Sequence, residues 1–261
     1  MLTQGTIRKR WPTPGSQQPA VSITRVRNSI LAGVIIAAAA ASGCGGSAPK
    51  AQTSATPSSA TTSASSSPGL ASGVPAAPPP AGYQWAGSAA QGVVFAVLDS
   101  WAAVDLAKIS VTQAVERFWP KGLSSGMRAT LKQLSQQHAI YFSDLASAVQ
   151  SSHKFATNGN AFCGPTPLAG GTDSSSALKA LMKPQYVQFG AHGLVFTNVT
   201  IDGNTGIKAN FTFTAGDIKL TDTQYTVLTK SSHLCYVTLT TDNPLAFANI
   251  FRTIARTTYF S

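Results

Sequence analysis

The chain has 261 residues, 43% of them hydrophobic and only 11% charged, with a formal net charge of +10. That charge does not mark a nucleic-acid binder: Arg8, Lys9, Arg10, Arg25 and Arg27 all precede Cys44, and without them 14 basic residues face 9 acidic ones, with no Lys/Arg cluster. The first eighty or so residues lack the periodic apolar pattern of a core, which leaves about 180 for one domain, enough to bury a sizeable interior.

Met1 to Ser29 reads as a long basic leader in which Pro12, Pro14 and Pro19 prevent a regular helix. The apolar run Ile30 to Ala41 that follows is about twelve residues, where a bilayer-spanning helix needs roughly twenty. It ends in Ala41-Ser42-Gly43-Cys44, the small side chains before a cysteine that a lipoprotein signal peptidase requires. Residues 1–43 are therefore expected to be a removed signal peptide. Cys44 is expected to carry the acyl chains, palmitate among them, that hold the protein on the extracytoplasmic face of the cell membrane. Arg25-Val26-Arg27 is not a twin-arginine pair, so general secretion is the expected route. The alternative is an uncleaved anchor, and Ala41 stands where an aliphatic residue is usual.

From Gly45 to Gly82 the composition collapses to Ala, Ser, Thr, Pro and Gly, with Lys50 the one charge and no aromatic residue before Tyr83. Such a segment cannot bury enough apolar surface to offset the entropy of ordering. Residues 44–82 thus read as a lipidated, disordered tether, a coil of about 38 residues spanning on the order of 35 Å and holding the domain clear of lipid headgroups. It is either a bare spacer or an O-glycosylated stalk.

Residues 83–261 form the domain. Tyr83 to Trp85, Gly92 to Leu98 and Trp101 to Leu106 are predicted strands, with Asp99-Ser100 turning the chain between the last two. Val111, Ala114, Val115 and Phe118 predict a helix over 111–119 that Pro120 stops. Met127, Leu131 and Leu134 predict another over 126–137, capped by Ser124 or Ser125. Ala139 to Phe142 reads as strand, Ala146 to Ser151 as a helical piece and Lys154 to Cys163 as a strand with an irregular middle. Asp173 is a candidate cap for a helix over 174–182 that Pro184 ends or kinks. Four strands follow, Leu194 to Ile201, Gly206 to Ala215, Thr221 to Thr229 and His233 to Thr240, separated by turn signals. In the second, Ile207, Ala209, Phe211 and Phe213 alternate with polar residues, which predicts one buried and one wet face. Asn243 and Pro244 begin a last helix with Phe247, Ile250, Phe251 and Ile254 on one side. The order predicts an α+β fold, an antiparallel sheet flanked by helices.

The stretch GVVFAVLDSWAAVDL, the four late strands and the ending NPLAFANIFRTIARTTYF together resemble the PsbP-like fold, in particular actinobacterial, mycobacterial-type lipoproteins of the LpqN and LpqT kind. The resemblance spans roughly Tyr83 to Ser261 and rests on order and spacing. It implies a non-enzymatic envelope protein, anchored outside the cytoplasmic membrane, with no catalytic residues to carry over.

With Cys44 assigned to lipid, Cys163 and Cys235 remain as a pair in an oxidising compartment and are expected to form a disulfide. The alternatives are two buried thiols or a metal site built from His153, Cys163, His233 and Cys235, a set without the close pairing of zinc ligands. No phosphate-binding, dinucleotide-binding, nucleophile-elbow or zinc-protease motif is present, so no cofactor and no catalytic residue is expected. The single glutamate, Glu116, belongs on a solvated helix face. His138, His153, His192 and His233 are scattered.

Two functions follow. One is a binding module that docks on envelope protein or polymer through loops and cations such as Lys121, Arg128 and Lys132. The other is a carrier of an apolar, lipid-like ligand in a cavity between sheet and helices. Ligand identity and oligomeric state are outside what these residues specify.

Overall fold

The structure is a computed structural model that describes residues 75, 77–118, 125–168 and 175–261. Residues 1–74, on which the signal-peptide and Cys44 expectations and most of the expected tether fall, lie outside the described residues, as do Ser124, Pro120, Lys121 and Asp173. The ten strands are β1 (Tyr83–Ser88), β2 (Val93–Leu98), β3 (Ala102–Asp105), β4 (Ile140–Ser143), β5 (Asn158–Pro165), β6 (His192–Ile201), β7 (Asn204–Ala215), β8 (Ile218–Leu228), β9 (His233–Thr241) and β10 (Tyr259–Phe260). Among the described residues five α-helices accompany them: α1 (Val111–Phe118), α2 (Ser125–Gln136), α3 (Ser147–Gln150), α4 (Ser175–Phe189) and α5 (Pro244–Arg256).

A seven-stranded sheet runs in the order β3-β4-β5-β9-β8-β7-β6, with every neighbouring pair antiparallel. Because side chains alternate along a strand, each strand feeds two cores. On one face Leu178, Met182 and Tyr186 of α4, Ala114 and Val115 of α1, and Met127, Leu131 and Leu134 of α2 pack on Ile207, Phe211, Phe213, Leu220 and Tyr236. On the other face, the small sheet β1-β2-β10 and α5 cover Ile140, Phe142, Ala161, Val227, Val237 and Leu239. The molecule is therefore three layers, helices against a large sheet against a small sheet with a helix, and the expected α+β class is present.

Several elements depart from expectation. Pro184 does not end its helix: α4 continues through it to Phe189. Leu178, Met182 and Tyr186, one turn apart, are wholly buried against the sheet, and that packing outweighs the hydrogen bond proline cannot make. The carbonyl left without its donor belongs to Ala180, which is exposed. Residues 154–157 are not strand; β5 begins at Asn158. The two-residue β10, which joins Val93 and Val94 of β2, has too little pattern to be read from sequence. Elsewhere Asn243 caps α5 as its side-chain oxygen accepts from the Ala246 N–H at 3.3 Å, and the Asp99-Ser100 turn closes with a bond from Trp101 N–H to Leu98 O at 3.0 Å.

The two ends of the layers differ in what they carry. The Gly82 carbonyl accepts from the Asp99 N–H at 3.1 Å and Tyr83 pairs with Leu98, so the chain enters the domain beside Trp101 and the start of β3. This entry end also holds the last residues of β4 and β9, α3 and the start of α5. The opposite end holds the close of α2, the end of β5, the start of β9 and Ser261, whose N–H donates to Gly92 O at 3.2 Å.

Candidate binding groove

At the end away from chain entry, α2 stands off the β5–β9 pair and leaves a groove of about 530 Å³. Phe162 and Tyr236 sit opposite each other in register and stack with ring centres 4.9 Å apart, forming its floor with Leu234. Gln133, Gln136, Gln137 and His138 from the close of α2 form one wall, and Gly164, Pro165 and Pro167 the other. His138 has a left-handed backbone (φ 54), and its carbonyl accepts from Gln91 Nε2 at 3.2 Å, which fixes the rim. Among the described residues the lining holds no Lys, Arg, Asp or Glu. Burial pushes the Tyr236 hydroxyl well above the usual phenol range. The groove thus offers an aromatic floor, amide donors and acceptors and an exposed imidazole, a surface suited to an uncharged ligand segment.

Cys163 and Cys235 are joined by a disulfide that ties β5 to β9 beside this floor, with α-carbons 4.1 Å apart and 72 residues of sequence between them. They are register partners in adjacent antiparallel strands, and this separation is that of a narrow, non-hydrogen-bonded pair. Cys235 shares its side of β9 with Val237 and Leu239, in the small-sheet core. The bond fixes the register on which the Phe162–Tyr236 stack depends.

The other residues singled out in the sequence do not converge. His153 follows α3 at the entry end while His233 opens β9 at the far end, so the four residues weighed as a metal set are separated and two are bonded to each other. No group of three or more His, Cys, Asp or Glu able to hold a metal occurs among the described residues. Glu116 is exposed on α1, and Arg128 and Lys132 are exposed on α2.

A second feature had no advance signal. On the helix-facing side of β8, Asp222 and Gln224 lie beside Thr240 and Thr238 of β9, all buried. The Tyr186 hydroxyl donates to Gln224 Oε1, Gln224 Nε2 donates to Thr238 Oγ1 at 2.9 Å, and the Thr240 hydroxyl donates to Asp222 Oδ1. Asp222 is 0% exposed and its Oδ2 has no partner. Burial pushes its pKa up to about 7, against the pull of the Thr240 hydroxyl. In sequence these residues belong to the alternation TDTQYT, which reads as the wet side of a strand.

The fold is an α+β domain, three-layered and tied by one disulfide. No family model and no curated protein matches the chain. Among solved structures it is similar to a cyanobacterial PsbP from Synechocystis, at 16% identity and a TM-score of 0.40, covering 69% of this chain and 94% of that one. It is also similar to LpqN of Mycobacterium tuberculosis, a protein involved in cell envelope biogenesis, at 11% identity and a TM-score of 0.41, covering 65% of this chain and 83% of that one.

Proposed function

We propose that the protein is a lipid-anchored, extracytoplasmic module of the cell envelope that works by binding rather than by catalysis, with the groove between α2 and the β5–β9 pair as its binding surface. The observation that carries this reading is the groove's position and chemistry together: an aromatic-floored surface without charged side chains among its described lining, at the end of the domain opposite chain entry at Gly82. The Ala41-Ser42-Gly43-Cys44 signal and the Cys163–Cys235 bond, which suits an oxidising compartment, support export. The apolar-carrier alternative asks for space between sheet and helices. Under α4 that space is filled, Tyr186 and Phe189 packing on Phe211 and Phe213 with ring centres 4.9 and 4.8 Å apart, so an apolar ligand would have to lie in the groove under α2.

The partner is an uncharged segment of an envelope protein or polymer. A photo-crosslinking side chain placed at the exposed Gln136 in intact cells tests this. It should yield an adduct that a probe at Gly216, at the other end, does not. A Cβ at Gly164 meets nothing within 4 Å, so Gly164→Trp can fill the groove without disturbing the strand, and it should abolish the adduct. An adduct that survives the occluding tryptophan would remove the groove from the mechanism. Mass spectrometry of detergent-phase protein tests the anchor separately: an acylated N-terminal Cys44 is expected, and a chain starting at Met1 would refute it.

A further inference from the structure

Three large aliphatic side chains stand in water at one end of the domain. Leu245 in the first turn of α5 is 90% exposed, Val149 of α3 is 78% exposed and Leu145, just before α3, is 36% exposed. Their neighbours in the chain, Ser147, Gln150 and Ser151 on the α3 side and Asn243, Ala246 and Phe247 on the α5 side, line one cleft of about 340 Å³. Exposed apolar residues scattered singly need no explanation; three on the two elements that border one cleft do. This is the end at which the chain enters: Gly82 is hydrogen-bonded to Asp99, Gln84 Nε2 donates to Trp101 O at 3.1 Å, and the Trp101 ring lies 6.1 Å from that of Phe247, on the cleft wall.

We infer that this end is a membrane-docking surface, on which Val149, Leu245 and Leu145 enter the lipid layer from which the tether rises. The inference rests on the anchor reading above, because the tether's point of attachment is what selects a lipid surface as the occupant. A coil of about 38 residues spans on the order of 35 Å, so an anchored domain samples the bilayer at millimolar-scale effective concentration. At that concentration, insertion of two or three aliphatic side chains suffices, although it would be too weak to recruit a free protein. The charges at this end set the kind of surface. Asp99, Asp144, Asp217 and Asp242 outnumber Lys154 and Lys219, so the contact is apolar insertion rather than attraction to anionic headgroups, and it favours zwitterionic lipid. Docked this way, the groove at the opposite end points into the envelope.

The test separates docking from cellular lipidation. With Cys163 and Cys235 bonded, Cys44 of the unacylated full chain is its one free thiol and can be coupled to a maleimide lipid in phosphatidylcholine vesicles. Hydrogen exchange is then followed with and without coupling. Burial of one aliphatic side chain corresponds to about tenfold in an equilibrium, so segments 144–150 and 243–248 should exchange roughly tenfold more slowly on vesicles. The turns at 202–204 and 229–232 should not change. Val149→Glu with Leu245→Glu, at solvent-exposed sites where folding is preserved, should abolish the protection while coupling remains. Phosphatidylglycerol vesicles should give less protection than phosphatidylcholine. Equal exchange on and off the vesicle, or protection that survives both glutamates, would overturn the docking surface. An unacylated Cys44 in cells would instead overturn the anchor.

Discussion

The two faces of the large sheet each carry a buried core, and the two cores are built on different principles. Toward the small sheet, Phe142 packs its ring 5.1 Å from Phe95 and 6.1 Å from Trp101, among Val227, Val237, Leu239 and Ile254, and the disulfide lies in the same layer. Gly159 is present because a Cβ there would come within 2.5 Å of both the Phe142 ring and the Thr238 carbonyl. Toward the helices, apolar residues surround a strip in which Asp222, Gln224, Thr238, Thr240 and Tyr186 satisfy one another, leaving one carboxylate oxygen unpaired. The first face is optimised for packing. The second gives up stability to keep hydrogen-bonding groups in place, since a buried charge or unpaired acceptor costs free energy that an apolar residue would not.

The widest gap between the faces should come from Phe142→Ala, which empties the aromatic centre of the small-sheet core and should cost about 3–5 kcal/mol in denaturant unfolding. A loss under about 1 kcal/mol would show that this core is not tightly packed. Replacing Cys163 and Cys235 together by serine acts on the same face through the unfolded chain. With 72 residues of sequence between them, the expected loss is about 2–4 kcal/mol, with the domain still folding on its own core. Thiol titration of the unfolded, unreduced chain should find neither of these two thiols free.

On the helix-facing side the sign reverses for one variant. The Asp222 pKa is raised from 3.8 to about 7 by burial, so the folded state holds its proton while the unfolded state releases it. Stability contributed by the neutral carboxyl is present in full below the unfolded value, falls as pH rises toward about 7, and levels off above. Asp222→Asn should flatten that slope, leaving stability near pH 4 almost unchanged and raising it at pH 8 by roughly 2–4 kcal/mol. Chemical denaturation of both proteins at the two pH values checks it, and parallel profiles would refute the assignment. Tyr186→Phe should have the smallest effect, a loss of about 1–2 kcal/mol as Gln224 Oε1 loses its donor, with no change in the pH slope.

This asymmetry also marks what could be read from sequence. β7 was legible because Ile207, Ala209, Phe211 and Phe213 alternate with polar residues, and α5 because Asn243-Pro244 and the Phe247 to Ile254 stripe carry both a start signal and a face. The strip on β8 and β9 was not, because threonine and glutamine at period 2 look the same whether they face water or a covering helix layer. α4 passed its proline because tertiary packing, which no local propensity contains, decided the matter. The groove was least visible of all. Gln133 to His138, Phe162 and Tyr236 are remote in the chain and meet only through strand register. The parity left once Cys44 is set aside for lipid led to the expected pairing of Cys163 with Cys235, and with it a clue to that register, but nothing in the spacing said that α2 would stand off the sheet there.

The small sheet joins the first strands of the domain to its last: Tyr259 and Phe260 add to β2, and Phe260 N–H donates to Asp202 Oδ2 at 2.9 Å. During synthesis β1 and β2 are made early, yet their third partner arrives only when residue 260 has left the ribosome. Until then the hairpin lacks both its neighbour strand and the α5 cover, and two strands alone are marginal in water. The order of synthesis therefore defers closure of this layer until the last strand is made, and the domain is completed in a single late step.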